Sequence, residues 1–214
     1  MRFKGAIFDQ DGLLFDTEIL FARAWKAAGR EMGLEVPDDL PRSCCGCGTN
    51  VLPDVIRRFF PSIDIEAYMK RALRLAFDAQ LTSSPVPKPG AVEILKLCRA
   101  KGIRTAIASS SVRELIRHNL ARSDLTEYID EIVSGQDVAL GKPAPDIFLL
   151  ACEKLKLAPP SCLVFEDALT GIEAAHRAGC YPVMIPDQVK PTDEIRALCV
   201  CRPSLLAAQE LLDI

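Results

Sequence analysis

The sequence predicts an α/β fold, a Rossmann-like parallel sheet core covered by helices on both faces, with an α-helical cap domain inserted into it. Three observations carry this expectation. Short apolar runs recur along the chain and stop abruptly at polar residues, the mark of buried parallel strands. Amphipathic helical patterns separate most of those runs, and such alternation builds βαβ units. One long interval, residues 16–87, breaks the alternation with helical stretches alone.

In chain order, residues 3–8 (FKGAIF) read as a buried strand running into the turn DQDG. Helical periodicity follows over 18–32, 51–60 and 65–81, with no convincing strand among these stretches, and SSPVPKPG at 83–90 has the composition of a linker. Beyond it, helices are expected over 91–101, 112–122, 145–156 and 169–178. Strands are expected over 104–108, 131–133, 162–165 and 181–185. The predicted division is a core of residues 1–15 and 88–214 and a cap of residues 16–87.

Composition narrows the function. Twenty-six Lys and Arg against 29 Asp and Glu give a net charge of −3, and the two signs are interleaved. A nucleic-acid binder would cluster its cations. No apolar run approaches the roughly 20 residues that span a bilayer. The first apolar segment reaches Asp9 too soon for a signal-peptide core, so a cytoplasmic chain is expected, as a monomer or weak homodimer. His118 and His176 are the two histidines, which excludes a three-histidine site, and both fall in helical patterns. The nine cysteines include Cys44, Cys45 and Cys47 in CCGC and the pair Cys199 and Cys201. An odd count without a secretory signal reads as reduced thiols packing as small apolar groups rather than as disulfides, a redox pair or a zinc ribbon. Gly46 and Gly48 form a GxG with no third glycine and no preceding strand, so no dinucleotide fingerprint is present.

In open parallel sheets ligands bind beyond the carboxyl ends of the strands. Those ends carry Asp9 and Asp11, then Ser109, Ser110 and Ser111, then Lys142 after the third strand, then Glu166 and Asp167. Taken singly, these are ordinary turn, cap and surface residues; together they bring up to four carboxylates and one lysine to one edge. An all-oxygen acidic set of this kind calls for Mg²⁺, and crowding of like charges raises a carboxyl pKa and makes a proton donor. A carboxylate nucleophile, a carboxyl acid/base, a divalent cation and a lysine suit phosphoryl transfer through an aspartyl-phosphate, with Ser109 on a phosphoryl oxygen.

Four ordered segments, FDQDGLLFDTE at 8–18, AIASSS at 106–111, GKPAPDIF at 141–148 and FEDALTGIEAAHRAG at 165–179, resemble the motifs of the haloacid dehalogenase superfamily. Within it, the pattern is similar to the helical-cap phosphatases and β-phosphoglucomutase-like enzymes. The resemblance implies Asp9 as nucleophile, Asp11 as general acid/base, and Ser109 and Lys142 as holders of the phosphoryl group. It places Mg²⁺ on Asp167, the Asp9 carboxylate and the Asp11 backbone carbonyl, with Glu166 as a further ligand or as the group that orients one. A second acid at Asp11 disfavours carbon–halogen hydrolysis.

The cap is expected to set specificity. Its candidates are Thr17, Thr49 and Asn50, with Ser110 on the core side. Arg71 and Arg74 are candidates for a distal anion, although their helix reads more readily as a solvated face. The β-phosphoglucomutases usually carry a His after the first motif, an Arg in the cap turn and a Lys after the Ser motif. Here Ile19 and Leu20, Thr49 and Asn50, and Val112 stand in those places. Hydrolysis of a small phosphorylated metabolite such as a sugar phosphate is therefore expected ahead of a phosphosugar mutase. The alternative from another class is a phosphorylatable signalling or binding module without turnover, against which the helical insertion argues.

Overall fold

The computed structural model describes residues 2–45, 47 and 51–213. Thr49 and Asn50 lie outside them. Six parallel strands form one sheet in the order β3-β2-β1-β4-β5-β6. The strands are β1 Gly5–Phe8, β2 Arg104–Ser109, β3 Glu131–Ser134, β4 Cys162–Glu166, β5 Tyr181–Met184 and β6 Val200–Cys201. Every residue of β1 and β4 is buried. Both faces of the sheet are covered, which is why these strands read as continuous apolar runs.

The period of two sorts the strand residues between two cores. Ala6, Phe8, Ile107, Leu163 and Phe165 face one way and pack against α5 Ala91–Ala100, α6 Arg113–Arg122 and α10 Leu205–Ala208. Ile7, Ala106, Ala108 and Val164 face the other way, against α7 Asp146–Leu155 and α8 Leu169–Arg177. The rings of Phe8 and Phe165 stack across the β1–β4 pair at 4.9 Å. The short helix α9 Asp193–Arg196 buries Ile195 beside Ile172 and Met184.

Between β1 and α5 run α1 Glu18–Glu31, α2 Asp39–Cys44, α3 Leu52–Phe59 and α4 Ile65–Thr82. Their apolar faces meet in a cluster of their own, built on Trp25, Leu40, Ile56, Tyr68 and Ala72. Buried Tyr68 satisfies its hydroxyl on the Trp25 carbonyl at 3.0 Å, as a phenol out of water must. The two chain passages joining these helices to the sheet are tied together. Asp16 N–H donates to the Val86 carbonyl, Lys88 N–H donates to the Leu14 carbonyl, and Phe15 bridges both Asp11 and Pro87.

The five strands and seven helices expected from sequence are present. Three helices and one strand were not foreseen: α2, four-residue α9 and α10, and β6. Six-residue α2 is too short to display a helical period, and two-residue β6 follows a short helix with only Val200 and Cys201 in the ladder.

Candidate active site

Register brings the polar residues to one edge. Phe8 pairs with Ile107 and with Phe165, so Asp9 and Glu166, just beyond them, emerge side by side, with Ser109 one residue further along β2. Strand order reverses between β1 and β4, the position where open parallel sheets leave a crevice. Asp9 N–H extends the ladder to the Phe165 carbonyl at 3.0 Å, which fixes the backbone that carries the carboxylate.

Lys142 lies at the centre of the floor and is 1% exposed. Its ammonium donates to Asp9 Oδ1 at 2.5 Å, to the Ala108 carbonyl at 3.1 Å and to Glu166 Oε1. The other Glu166 oxygen accepts from the backbone N–H groups of Asp167 and Ala168 at 3.1 and 3.2 Å, so Glu166 is fully engaged. Gly171 makes room for it, since a Cβ there would fall on the Glu166 carboxyl group. Gly12, at φ +81°, likewise has its missing Cβ directed at Asp167 Oδ2. Both glycines are required by close approach to a carboxylate.

Oxygen atoms of Asp9, Glu166 and Asp167 lie within 4.8 Å of one another. Burial raises the Asp9 carboxyl to about 8; the Lys142 ammonium opposes the shift, while Glu166 and Asp11 add to it. Burial also raises Asp167, with Glu166 and Asp9 reinforcing it. For Lys142, burial alone would favour the neutral amine, but the Asp9 and Glu166 carboxylates outweigh it and hold the ammonium. Fully ionised, the three carboxylates would exceed the one ammonium by two negative charges in a medium that penalises them, and burial answers by favouring protons on Asp9 and Asp167. An all-oxygen donor set short of two positive charges fits a hard divalent cation such as Mg²⁺.

Asp11 stands apart from that cluster. Its carboxylate accepts from Thr17 Oγ1 at 2.6 Å, Ser111 Oγ at 2.7 Å and Ser109 Oγ at 3.3 Å. Its expected part in metal binding is through the backbone carbonyl, not this side chain. Thr17 is 3% exposed and its hydroxyl is committed to Asp11, so it orients the acid instead of facing a ligand as the sequence reading had it. Ser110 lines the cavity above the floor. Arg71 is paired with Glu31 and Arg74 with Asp78, and all four side chains are exposed, away from the cavity. His118 and His176 lie on α6 and α8 and do not line it.

The cavity holds about 170 Å³. Asp9, Asp11 and Ser109–Ser111 form its floor, and side chains of α1, α2, α3 and α4 form much of its wall. Sequence reasoning missed Ser111 as a partner of Asp11, having weighed it as a helix cap. It also missed Glu18, whose carboxylate is buried in the wall, accepts from Cys45 Sγ at 3.0 Å and is raised by burial to about 7. The signal for Glu18 was present, since it closes the FDTE end of the first motif, but there it marked only the beginning of a helical stretch.

The haloacid dehalogenase-like hydrolase model matches residues 3–179. The chain belongs to that family of hydrolases. Among relatives of this hydrolase is the phosphorylated carbohydrates phosphatase of Thermotoga maritima, 34% identical over 180 residues that cover 82% of each chain. The fructose-1-phosphate phosphatase YqaB of Escherichia coli is 32% identical, over 83% of this chain and 94% of that one. A hydrolase structure from Pseudomonas syringae superposes with a TM-score of 0.84 at 26% identity, covering 98% of both chains. The β-phosphoglucomutase of Clostridium difficile shares the fold with a TM-score of 0.79 at 21% identity, over 95% of this chain and 92% of the other.

Proposed function

We propose that this hydrolase cleaves phosphate monoesters of small metabolites through an aspartyl-phosphate on Asp9, with helices α1–α4 (residues 16–87) acting as the cap over the core. The observation that supports this reading best is the buried Asp9–Lys142–Glu166–Asp167 cluster directly below a cavity, with Asp11 held beside it by three hydroxyls. Asp9, Glu166 and Asp167, with the Asp11 carbonyl, would hold Mg²⁺, which when bound neutralises charge on the nucleophile and the phosphoryl group. An Asp9 carboxylate oxygen attacks phosphorus as the ester P–O bond breaks, and Asp11 delivers a proton to the departing alkoxide. Water then attacks the same phosphorus, Asp11 takes its proton, and the Asp9–phosphorus bond breaks to release phosphate. Lys142 and Ser109 position the phosphoryl oxygens. Phosphorylated carbohydrates and fructose 1-phosphate give two of the relatives their names, so sugar phosphates are the first class to assay. The protein is proposed to act as a cytoplasmic monomer or weak homodimer.

The test is steady-state release of phosphate with and without Mg²⁺. Turnover requires the ion and falls by at least about 10³-fold in Asp9→Asn. Asp11→Asn slows both formation and breakdown of the phosphoenzyme, by about 10²-fold or more in single-turnover measurements. Full activity in Asp9→Asn would exclude the mechanism.

A further inference from the structure

The wall of the cavity is unlike its floor. From the helical side it is made of Phe21, Trp25, Leu73 and Phe77, from the sheet side of Val112 and Leu115, with the thiols of Cys44, Cys45 and Cys47 between. Among the described residues the only charged groups that line the cavity are Asp9, Asp11 and Glu18, all acidic. The four undescribed residues next to the thiols, Gly46, Gly48, Thr49 and Asn50, carry no charge. Of the arginines on α2, α3 and α4, Arg42 is paired with Asp39, Arg57 with Asp54, Arg71 with Glu31 and Arg74 with Asp78, and Arg58, exposed on α3, acts on the Cys47 thiol without itself lining the cavity.

We infer that the wall selects phosphate monoesters whose leaving group is uncharged and presents an apolar face, and that it rejects esters carrying a carboxylate or a second phosphate. The inference rests on the reading of Asp9 as the phosphorylated residue and narrows its substrate class. The reasoning is one of desolvation. A second anion entering the cavity would lose its water among aromatic and aliphatic side chains and find no cation among the described lining residues in exchange, while Glu18 would oppose it at close range. An apolar face gains from the same wall, because burying it costs no hydrogen bonds. Glu18 is then the specificity-determining residue: one of its oxygens is held by Cys45, and the carboxyl group offers an acceptor for one hydroxyl of the leaving group. Burial raises its pKa, with Cys45, Asp11, Asp187 and Lys88 acting on it from the surrounding elements, consistent with a site that disfavours further negative charge.

The experiment compares kcat/KM for benzyl phosphate, glucose 6-phosphate, phosphoglycolate and fructose 1,6-bisphosphate on the Mg²⁺-loaded full chain. All four are esters of aliphatic hydroxyls, so leaving-group chemistry is comparable. The expected order places benzyl phosphate first, glucose 6-phosphate about tenfold lower, and the two additional anions at least about 100-fold lower, the range that pocket contacts supply. In Glu18→Gln the ratio of benzyl phosphate to phosphoglycolate falls about tenfold. Preference of the wild-type chain for either doubly anionic ester, or for glucose 6-phosphate over benzyl phosphate, would overturn the inference and leave the phosphatase reading standing. Absence of turnover on every ester, with no phosphate incorporated at Asp9, would overturn both. The ranking needs no variant, so a folding defect in Glu18→Gln does not shield the proposal.

Discussion

Glu18 shows how a single position carries both a stability cost and a chemical use. Its carboxyl group is raised from 4.5 to about 7 by burial. The folded chain therefore binds this proton more tightly than the unfolded chain, and stability falls as pH climbs from about 4.5 to 7. Glu18→Gln removes that dependence. The variant is expected to be more stable than wild type at pH 8, by up to about 3 kcal/mol, and no more stable at pH 4; urea melts at the two values measure it. Equal differences at both pH values would refute the assignment. Gly171 makes a second prediction at this scale. Gly171→Ala drives a methyl group into the Glu166 carboxyl, which must swing away from Lys142 and from the N–H groups of Asp167 and Ala168. Mg²⁺ affinity by calorimetry is expected to fall about 10–100-fold, the range for groups that orient metal ligands. An unchanged affinity would mean that Glu166 is dispensable.

The alternation of buried strands and amphipathic helices was legible because both periods were long enough to see. GAIF in β1 and CLVFE in β4 are buried throughout, and α4 runs 18 residues. What escaped were elements too short to show a repeating period, α2, α9, α10 and β6, and contacts made across long sequence separations. Thr17 looked like a ligand contact because it sits at the mouth of the helical insertion, yet only the fold reveals that its hydroxyl reaches back to Asp11. The four strand-end motifs identified the acidic floor; the apolar wall was invisible, since Phe21, Trp25, Leu73 and Phe77 also satisfy the ordinary pattern of helix packing. Capping at α4 follows the sequence rule directly, with Asp64 Oδ1 accepting from Ala67 N–H at 3.0 Å. Asp64→Ala is expected to cost about 1 kcal/mol, read as a lower denaturation midpoint with unchanged slope, while kcat stays as it was. A loss of activity larger than the loss of folded protein would point to a direct role for this helix end in the site.

At the level of the whole molecule, the uncompensated charge at the floor links folding to metal. The unfolded chain does not gather Asp9, Glu166 and Asp167, so on the proposed reading Mg²⁺ would bind the folded form alone, and a concentration 100 times its Kd would add about 2.7 kcal/mol. Melting temperature is expected to rise with Mg²⁺ and to return on chelation; Asp167→Asn should flatten that rise. No helix of the described chain is long and apolar enough to cross a membrane.

The order of the sheet also has a consequence for synthesis. Gly5 in β1 pairs with Arg104 on one side and Cys162 on the other, so the strand that presents Asp9 leaves the ribosome long before either neighbour exists. Until β2 is made, about half-way along the chain, GAIF is an apolar segment with two open edges, and until β4 it keeps one, the condition under which nascent chains misassociate. The late arrival of Cys162–Glu166 closes the last edge of β1 and, in the same step, brings Glu166 to Lys142. The pairing that completes the surroundings of β1 and the gathering of the Asp9–Lys142–Glu166 cluster are therefore one event.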